Sequence, residues 1–314
     1  MTCNLKFDHC QSILQRLSDD MATAETLIAF DNKLGESPVW HVARQKLYWL
    51  DLYAPALFEC NADGSGYRMR PLAVEAPIGS LVATSDQDRA IIALKSGLHI
   101  LHLNTLALSL FCDPEHGRSN VIPNDLKVDR WGRIWLATSH DKEKDPRGAL
   151  WCVRDDKTCI LADVGFPVSN GPAFSHDGHT MYFNDSVNRQ TLAYDVSEFH
   201  MRADNRRVLA TYSEAEGVPD GLTVDTNGDL GIAMWAGGCV QRLSPKGKKL
   251  TRIDVPAWQP TSVAFGGKDL KQLFVTSARD GMTDQTIETY PASGSLFRFE
   301  TMTAGLPETL FKLR

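Results

Sequence analysis

Short apolar or aromatic segments recur along the chain, each following a group of turn-forming residues. Six of them have the pattern of a strand core: KLYWLDL, RAIIALKSG, GRIWLATS, HTMYFNDS, GDLGIAMW and KQLFVTS. Their equivalent positions, separated by 43, 44, 47, 49 and 43 residues, are Tyr48, Ile91, Trp135, Tyr182, Gly231 and Phe274. Six units of about 45 residues therefore account for most of the chain.

A repeat of about 40–50 residues built from short β segments is typical of a β-propeller, in which each blade is a four-stranded sheet. We predict an all-β fold with one six-bladed β-propeller over residues 26–314 and a short N-terminal extension of residues 1–25. Sustained helical periodicity occurs only before residue 26, which disfavours a parallel α/β sheet. A pair of β-sandwiches is the alternative, but sandwiches do not require so constant an interval.

Three of the turns before these segments contain an aspartate at the same place. They are VDRWGR, SHDGHT and VDTNGD, and they contain Asp129, Asp177 and Asp225 at intervals of 48 residues. This second regularity supports the same repeat.

The amino-acid composition and charge limit the kinds of molecule that the protein is expected to bind. The 314 residues are 43% hydrophobic and 23% charged, and the formal net charge of -6 is spread without long blocks of either sign, which argues against a nucleic-acid partner. No unbroken apolar stretch suggests a signal peptide or a membrane span, so we expect a cytoplasmic protein without membrane contact. The seven dispersed cysteines include no C-x-x-C pair and are interpreted as reduced thiols. We expect a monomer or a weak homo-oligomer.

Four polar residues stand at comparable places in the repeat, inside turn-like sequences. Each lies 11–12 residues before the strand core of its own unit: Glu36, Asn124, Asn170 and Asp220. In a circular array, the same end of each blade would direct these side chains toward the axis. The alternative is that each is a turn residue, because Asn-Gly and Pro-Asp-Gly are common in turns. Their shared offset favours an oxygen-lined site on the axis.

Two carboxylates and two amide carbonyls form a hard oxygen donor set without histidine or thiolate. Such donors suit Ca²⁺, Mg²⁺ or Mn²⁺ better than Zn²⁺. Three or four protein ligands leave coordination positions for water and for a substrate oxygen, as in catalytic metal sites. The sequence therefore predicts a divalent metal site that is open to a substrate.

Longer motifs carry a family resemblance. In chain order they are LGESPVWH, PNDLKVDRWGRIWLATSHD, SNGPAFSHDGHTMYFNDS, PDGLTVDTNGDL and FGGKDLKQLFVTSARDGM. From about Leu27 to Phe297 the chain resembles the senescence marker protein/gluconolactonase/regucalcin family, six-bladed propellers that bind one divalent metal in the central channel and hydrolyse sugar lactones. The SHD segment followed by KEKDPRGALW is more similar to the bacterial sugar-acid lactonases than to the animal calcium-binding members.

The resemblance implies a role for each residue. Glu36, Asn170 and Asp220 would bind one divalent cation, which could be Ca²⁺, Mn²⁺, Mg²⁺, Zn²⁺ or Fe²⁺. Asp220 would also be the general base, while Asn124 would face the substrate or hold a metal-bound water. The implied partner is a small sugar lactone, an aldono-1,4- or 1,5-lactone that is hydrolysed to the sugar acid. Asp125 and Asp141 are the next candidates for the base.

One position departs from the family pattern. The family commonly has an arginine two residues before the asparagine of its N-D motif, and this chain has Ile122 there. Because an apolar side chain replaces a hydrogen-bonding cation, we expect a lactone preference different from that of relatives that carry the arginine.

Two other functions use the same fold and the same ligands. One is a calcium-binding regulatory protein without catalysis, and the other is a metal-dependent organophosphate or aryl-ester hydrolase. The polar loop from Ser139 to Asp145 favours a hydroxylated substrate over an apolar one.

Overall fold

Six four-stranded antiparallel sheets surround a central axis in the computed structural model, which describes residues 23–313. The predicted all-β six-bladed propeller is therefore confirmed. The helix-like pattern near the N-terminus, together with Cys3 and Cys10, lies outside the described residues. Strand β1 (Glu25–Ile28) begins at the last residue of the predicted N-terminal extension.

Each of the first five blades consists of four strands that follow one another in the chain. Blade 1 contains β2 (Gly35–His41), β3 (Lys46–Asp51), β4 (Ala56–Cys60) and β5 (Arg68–Pro71). Blade 2 contains β6 (Leu81–Ala83), β7 (Arg89–Leu94), β8 (Gly97–His102) and β9 (Leu108–Cys112). Blade 3 contains β10 (Val121–Val128), β11 (Ile134–His140), β12 (Gly148–Val153) and β13 (Cys159–Phe166).

The second half of the ring repeats this arrangement. Blade 4 contains β14 (Ser169–Phe174), β15 (Thr180–Asp185), β16 (Gln190–Asp195) and β17 (Asp204–Thr211). Blade 5 contains β18 (Val218–Val224), β19 (Leu230–Trp235), β20 (Cys239–Leu243) and β21 (Lys249–Asp254). Blade 6 contains β22 (Pro260–Gly266), β23 (Gln272–Ser277) and β24 (Leu296–Glu300). A 3₁₀ turn covers Glu214–Glu216, and a short helix, α1 (Asp284–Thr289), follows β23.

Blade 6 closes the ring with strands from both ends of the chain. Its outermost strand is β1, which pairs with β24 through Glu25 and Arg298. An apolar cluster that includes Trp40, Trp49 and Phe274 then packs blade 6 against blade 1. This arrangement joins the N-terminal strand to the last blade and completes the circle.

Every predicted strand core lies in the second strand of its blade: Tyr48 in β3, Ile91 in β7, Trp135 in β11, Tyr182 in β15, Gly231 in β19 and Phe274 in β23. The five large side chains among them are each buried in a different apolar cluster between neighbouring blades. The 45-residue period therefore reflects one packing position repeated around the ring.

The recurrent aspartates stabilise the turns between the first and second strands of their blades. Asp129 is completely buried and accepts hydrogen bonds from the backbone N–H groups of Trp131 and Arg133, both at 3.0 Å. It also accepts from Arg133 Nε at 2.6 Å and from the Trp135 indole at 2.8 Å. Arg133 in turn donates to the His200 carbonyl at 2.6 Å, which links this turn to blade 4.

We expect the substitution Asp129→Ala to lower the free energy of unfolding by about 3–5 kcal/mol, because it leaves the buried Arg133 guanidinium without its charge partner. Chemical denaturation measures this loss. The matched control is Asp177→Ala, because Asp177 stands at the same place in an exposed turn, where it accepts from His179 N, the counterpart of Trp131 N, and from Ser175 Oγ. Its expected loss is at most about 1 kcal/mol. Equal losses for the two variants would contradict the role assigned to burial.

The C-terminal strap, residues 301–313, crosses the end of the channel at which the innermost strands finish. Leu306 N donates to Val224 O of blade 5 at 3.3 Å, and Lys127 of blade 3 pairs with Glu308 at 2.5 Å. Phe311 is completely buried against blade 2, and its N–H donates to Ala83 O at 3.1 Å. The strap thus covers this end of the channel.

Across residues 23–313, no helix has both the length and the apolar character needed to span a bilayer.

Candidate metal and substrate site in the central channel

A cavity of about 320 Å³ occupies the end of the channel opposite the C-terminal strap. All four polar residues singled out in the sequence line it: Glu36, Asn124, Asn170 and Asp220. They come from the innermost strands of blades 1, 3, 4 and 5, which meet around the axis. The structure therefore brings together the side chains that the common offset predicted.

Each of these residues lies where the pairing of its innermost strand becomes irregular. The register shifts between Glu36 and Val39 in β2, and between Asn170 and Ala173 in β14. The residue pairs that bracket Asn124 and Asp220 show the same shift in β10 and β18. Such irregularities in a strand redirect side chains and are common beside functional sites.

The innermost strands approach one another so closely at this level that some positions require glycine. A Cβ on Gly221, the residue after Asp220, would lie 2.1 Å from Ser262 Oγ. Gly171, the residue after Asn170, has a φ of 86° and would bring a Cβ within 2.4 Å of Leu222 Cδ2. Glycine therefore permits the close approach that places the two neighbouring side chains in one cavity.

A hydrogen-bond network fixes the orientation of the two amides. Asn124 Nδ2 donates to Asn170 Oδ1 at 2.9 Å and to Ser169 O at 2.7 Å. Asn170 Nδ2 donates to Ser186 Oγ at 2.8 Å, and Ser186 Oγ donates to Pro219 O at 2.7 Å. Both amide nitrogens thus donate within the protein, which fixes the direction of each Oδ1. A carbonyl oxygen has two lone pairs, so each Oδ1 retains acceptor capacity for a cation or a hydroxyl.

The two carboxylates at the site are buried beside each other. Glu36 is 5% exposed and Asp220 is 8% exposed. Burial raises the pKa of Glu36 well above its ordinary value, and the charge of Asp125 adds to the effect. Burial also raises the pKa of Asp220 well above its ordinary value, with further contributions from Glu36, Asp125 and Glu143. Both shifts express the cost of placing negative charge in a region of low dielectric.

Asp125 is a third buried carboxylate next to these two, but its oxygens are already used. Its Oδ1 accepts from Ser80 Oγ at 2.9 Å, and its Oδ2 accepts from Gly171 N at 2.6 Å. It does not line the cavity, so this geometry gives it a structural role beneath Asn170. Asp125 is therefore a poor candidate for the general base.

The donor set fits a hard divalent cation. Among the described residues, no lysine or arginine forms an ion pair with Glu36, Asp125 or Asp220, and the nearby Lys127 is paired with Glu308. Buried carboxylates without a protein cation normally coordinate a metal or become protonated. Within residues 23–313, no cluster of three or more His, Cys, Asp or Glu side chains could hold a metal, so a third protein donor here would be the Asn170 amide.

The cavity is also lined by residues to which the sequence analysis assigned no role, among them Tyr53, Glu143, Arg189, Trp235 and Asp280. Burial, followed by the charges of Glu143 and Asp280, raises the pKa of Tyr53, which indicates that these three lie on one side of the cavity. The motif SARDGM already contained Asp280, whereas Glu143 belongs to the polar loop in which the sequence indicated Asp141.

Two residues discussed in the sequence lie outside this cavity. Ile122 lines a separate cavity of about 40 Å³ whose walls include Leu94, Leu136 and Thr138, between blades 2 and 3. Its position does not support a direct effect on a substrate in the channel. Asp141 is likewise absent from the lining of the central cavity, and it lies 3.4 Å from His140 Nε2.

Comparison with known proteins assigns the chain to a family. The profile of the SMP-30/Gluconolactonase/LRE-like region matches residues 34–279, a span that contains all four predicted site residues. The chain belongs to this SMP-30/gluconolactonase family. The family resemblance predicted from the motifs is confirmed.

Members of the family match this chain over nearly the full length of both proteins. The chain is 32% identical to a 6-deoxy-6-sulfogluconolactonase of Pseudomonas putida, over 92% of this chain and 98% of that protein. It is 31% identical to the pentonolactonase XacC of Haloferax volcanii, over 88% and 94% of the two chains. A solved structure described as a calcium-binding protein, regucalcin, from Agrobacterium tumefaciens superposes with a TM-score of 0.87, 26% identity and coverage of 93% and 98%.

Proposed function

We propose that this protein is a divalent-metal-dependent lactonase that hydrolyses an aldono-1,4- or 1,5-lactone to the sugar acid. The observation that carries the proposal is the convergence of Glu36, Asn124, Asn170 and Asp220 in one polar channel cavity of about 320 Å³. Relatives that match nearly the full chain are named as lactonases of sugar derivatives, which supports the same class of substrate.

Glu36, Asn170 and Asp220 would hold the cation, which could be Ca²⁺, Mn²⁺, Mg²⁺, Zn²⁺ or Fe²⁺. When bound, it supplies Lewis acidity toward the carbonyl of the lactone. Asn124 uses its amide N–H groups within the protein, so its Oδ1 accepts a hydrogen bond from a substrate hydroxyl.

Asp220 acts as the general base. Its carboxylate takes a proton from the attacking water as the water oxygen bonds to the carbonyl carbon. The ring C–O bond then breaks, and the proton passes to the departing ring oxygen, which becomes a hydroxyl of the sugar acid. No covalent intermediate with the protein is required, because a lactone is an activated ester.

The rim of the cavity provides polar contacts for a hydroxylated substrate. Tyr53, Glu143 and Asp280 offer hydrogen-bond acceptors on one side, and Arg189 offers donors. This polarity favours a sugar lactone over an apolar aryl ester. The solved relative described as calcium-binding keeps metal binding without catalysis as the second candidate function.

The decisive experiment strips the protein of metal and re-supplies Ca²⁺, Mn²⁺, Mg²⁺, Zn²⁺ or Fe²⁺ individually. Acid release is then measured for a panel of aldono-1,4- and 1,5-lactones, with an aryl ester and an organophosphate included. We expect metal-dependent hydrolysis of at least one lactone above the spontaneous rate. A protein that binds calcium but hydrolyses no lactone with any of the metals would be a binding protein, and this proposal would be wrong.

Arg189 provides a test of substrate contacts. Of the described residues that line the cavity, it alone is basic, and its Nη1 donates to Gly217 O at 2.7 Å while other donors remain. Because a hydrogen bond to a charged group contributes about 1.5–3 kcal/mol, we expect Arg189→Met to raise KM about tenfold or more with a smaller change in kcat. Arg189→Lys is the matched control and should retain part of the affinity. An unchanged KM in Arg189→Met would remove Arg189 from the substrate contacts.

A further inference from the structure

Two cysteines on neighbouring blades lie in contact at the outside of the propeller. Cys112 is the last residue of β9, the outermost strand of blade 2. Cys159 is the first residue of β13, the outermost strand of blade 3. Their sulfur atoms are 3.8 Å apart, and both residues are partly exposed.

A local contact holds the two segments together. Lys157, two residues before Cys159, places its ammonium 5.7 Å from the centre of the Phe111 ring, next to Cys112. Phe111 also packs edge-on against Phe311 of the C-terminal strap, with ring centres 5.5 Å apart. The proximity of the thiols is therefore supported by side chains on both segments.

The remaining described cysteines have a different environment. Cys60, Cys152 and Cys239 are buried, and burial raises the pKa of their thiols to about 12, about 12 and about 11, respectively. In contrast, the contact with Cys112 lowers the pKa of the Cys159 thiol. Because the thiolate is the reactive form and must be accessible, Cys159 is the most reactive of the described cysteines.

We infer that Cys112 and Cys159 form a dithiol pair that hydrogen peroxide converts to a disulfide between blades 2 and 3. The Cys159 thiolate attacks one peroxide oxygen, which breaks the O–O bond, forms a sulfenic acid and releases water after protonation. The contact with Cys159 raises the pKa of the Cys112 thiol, so Cys112 reacts second. It loses its proton as it attacks the sulfenic sulfur, so that the S–S bond forms and a second water leaves. For this bond to form, the sulfurs must close from 3.8 Å to about 2.05 Å.

The bond would restrain the unfolded chain, because it links two residues that are 47 positions apart. We expect the oxidised protein to melt about 5 °C higher than the reduced protein, and a thiol reductant to reverse the shift. The lactonase proposal does not enter this inference, so either can fail without the other.

The experiment treats the full-length protein with hydrogen peroxide, alkylates free thiols in denaturant and digests with trypsin. We expect a cross-link between peptides 96–118 and 158–189, which contain Cys112 and Cys159. Cys112→Ser and Cys159→Ser should each abolish both this cross-link and the melting shift. The matched control is the double variant Cys3→Ser/Cys10→Ser, which should retain both.

Absence of the 112–159 cross-link at peroxide concentrations that oxidise other thiols of the protein would overturn the inference. So would a peroxide-induced melting shift of equal size in Cys112→Ser. A cross-link without any melting shift would contradict the stabilising linkage between the blades.

Discussion

Replacing Asp220 by asparagine is expected to lower the rate of lactone hydrolysis by about 10²–10⁴-fold at saturating metal. The expected loss of bound metal is smaller. The amide retains an oxygen that can coordinate a cation, but it loses the negative charge and the basicity needed to accept a proton from water. Steady-state rates at increasing metal concentration separate these two effects, because weakened metal binding is overcome by mass action and loss of the base is not.

The matched control for this experiment is Asp141→Asn. Asp141 belongs to the loop that supplies Glu143 to the cavity, but it does not line the cavity itself. We expect this control to retain nearly the wild-type rate. Recovery of the wild-type rate by Asp220→Asn at saturating metal would limit Asp220 to metal binding and require another base.

The second large effect concerns the buried charge at the site. Glu36, Asp125 and Asp220 are buried near one another, and the charge of one raises the pKa of the next. We expect Glu36→Gln to melt at a higher temperature than wild type when both proteins are free of metal, because the amide preserves the shape of the side chain and removes the cost of burying this carboxyl group beside Asp125 and Asp220.

The same substitution should remove the response to metal. At a cation concentration of one hundred times Kd, binding stabilises the folded wild-type protein by about 2.7 kcal/mol. We expect Glu36→Gln to lose most of this gain and to retain little metal after purification. Thermal melting with and without added cation, combined with metal analysis, measures both effects.

Glu59→Gln is the control, and its expected effect on the stability of the metal-free protein is opposite to that of Glu36→Gln. Glu59 is also a buried carboxylate, at 6% exposure, but it lies near the cations of Arg70, Arg68 and Lys46. Removal of its charge should destabilise the metal-free protein and leave the response to added cation intact. If Glu36→Gln behaves like Glu59→Gln, or contains as much metal as wild type, the assignment of Glu36 as a ligand is wrong.

The repeat and the four inner residues were predictable because both follow from strand pairing. In blade 4, for example, Asn170 pairs with Asn184, so a fixed number of residues separates it from the buried Tyr182 of the next strand. The same hairpin geometry in each blade produces the common offset of 11–12 residues. The constant offset in the sequence therefore places the four side chains at the same level of the channel.

The rim of the cavity was not predictable in this way. Tyr53, Glu143 and Asp280 lie on loops after the second strands of three different blades, and loops carry no hydrophobic period that fixes their direction. The sequence analysis named Asp141 as a candidate base, whereas it is Glu143, two residues later, that lines the cavity. The contact between Cys112 and Cys159 also depends on how two blades dock, which no pattern within one blade encodes.

The C-terminal strap affects how small molecules enter and leave the channel. Because it covers the far end of the channel, a ligand that enters the cavity of the described chain is expected to leave through the same mouth by which it came. Entry of a fresh lactone must then wait for departure of the sugar acid. In a channel with a single opening, the turnover rate depends in part on the rate of product release. Accumulated product is also expected to compete with substrate for the cavity.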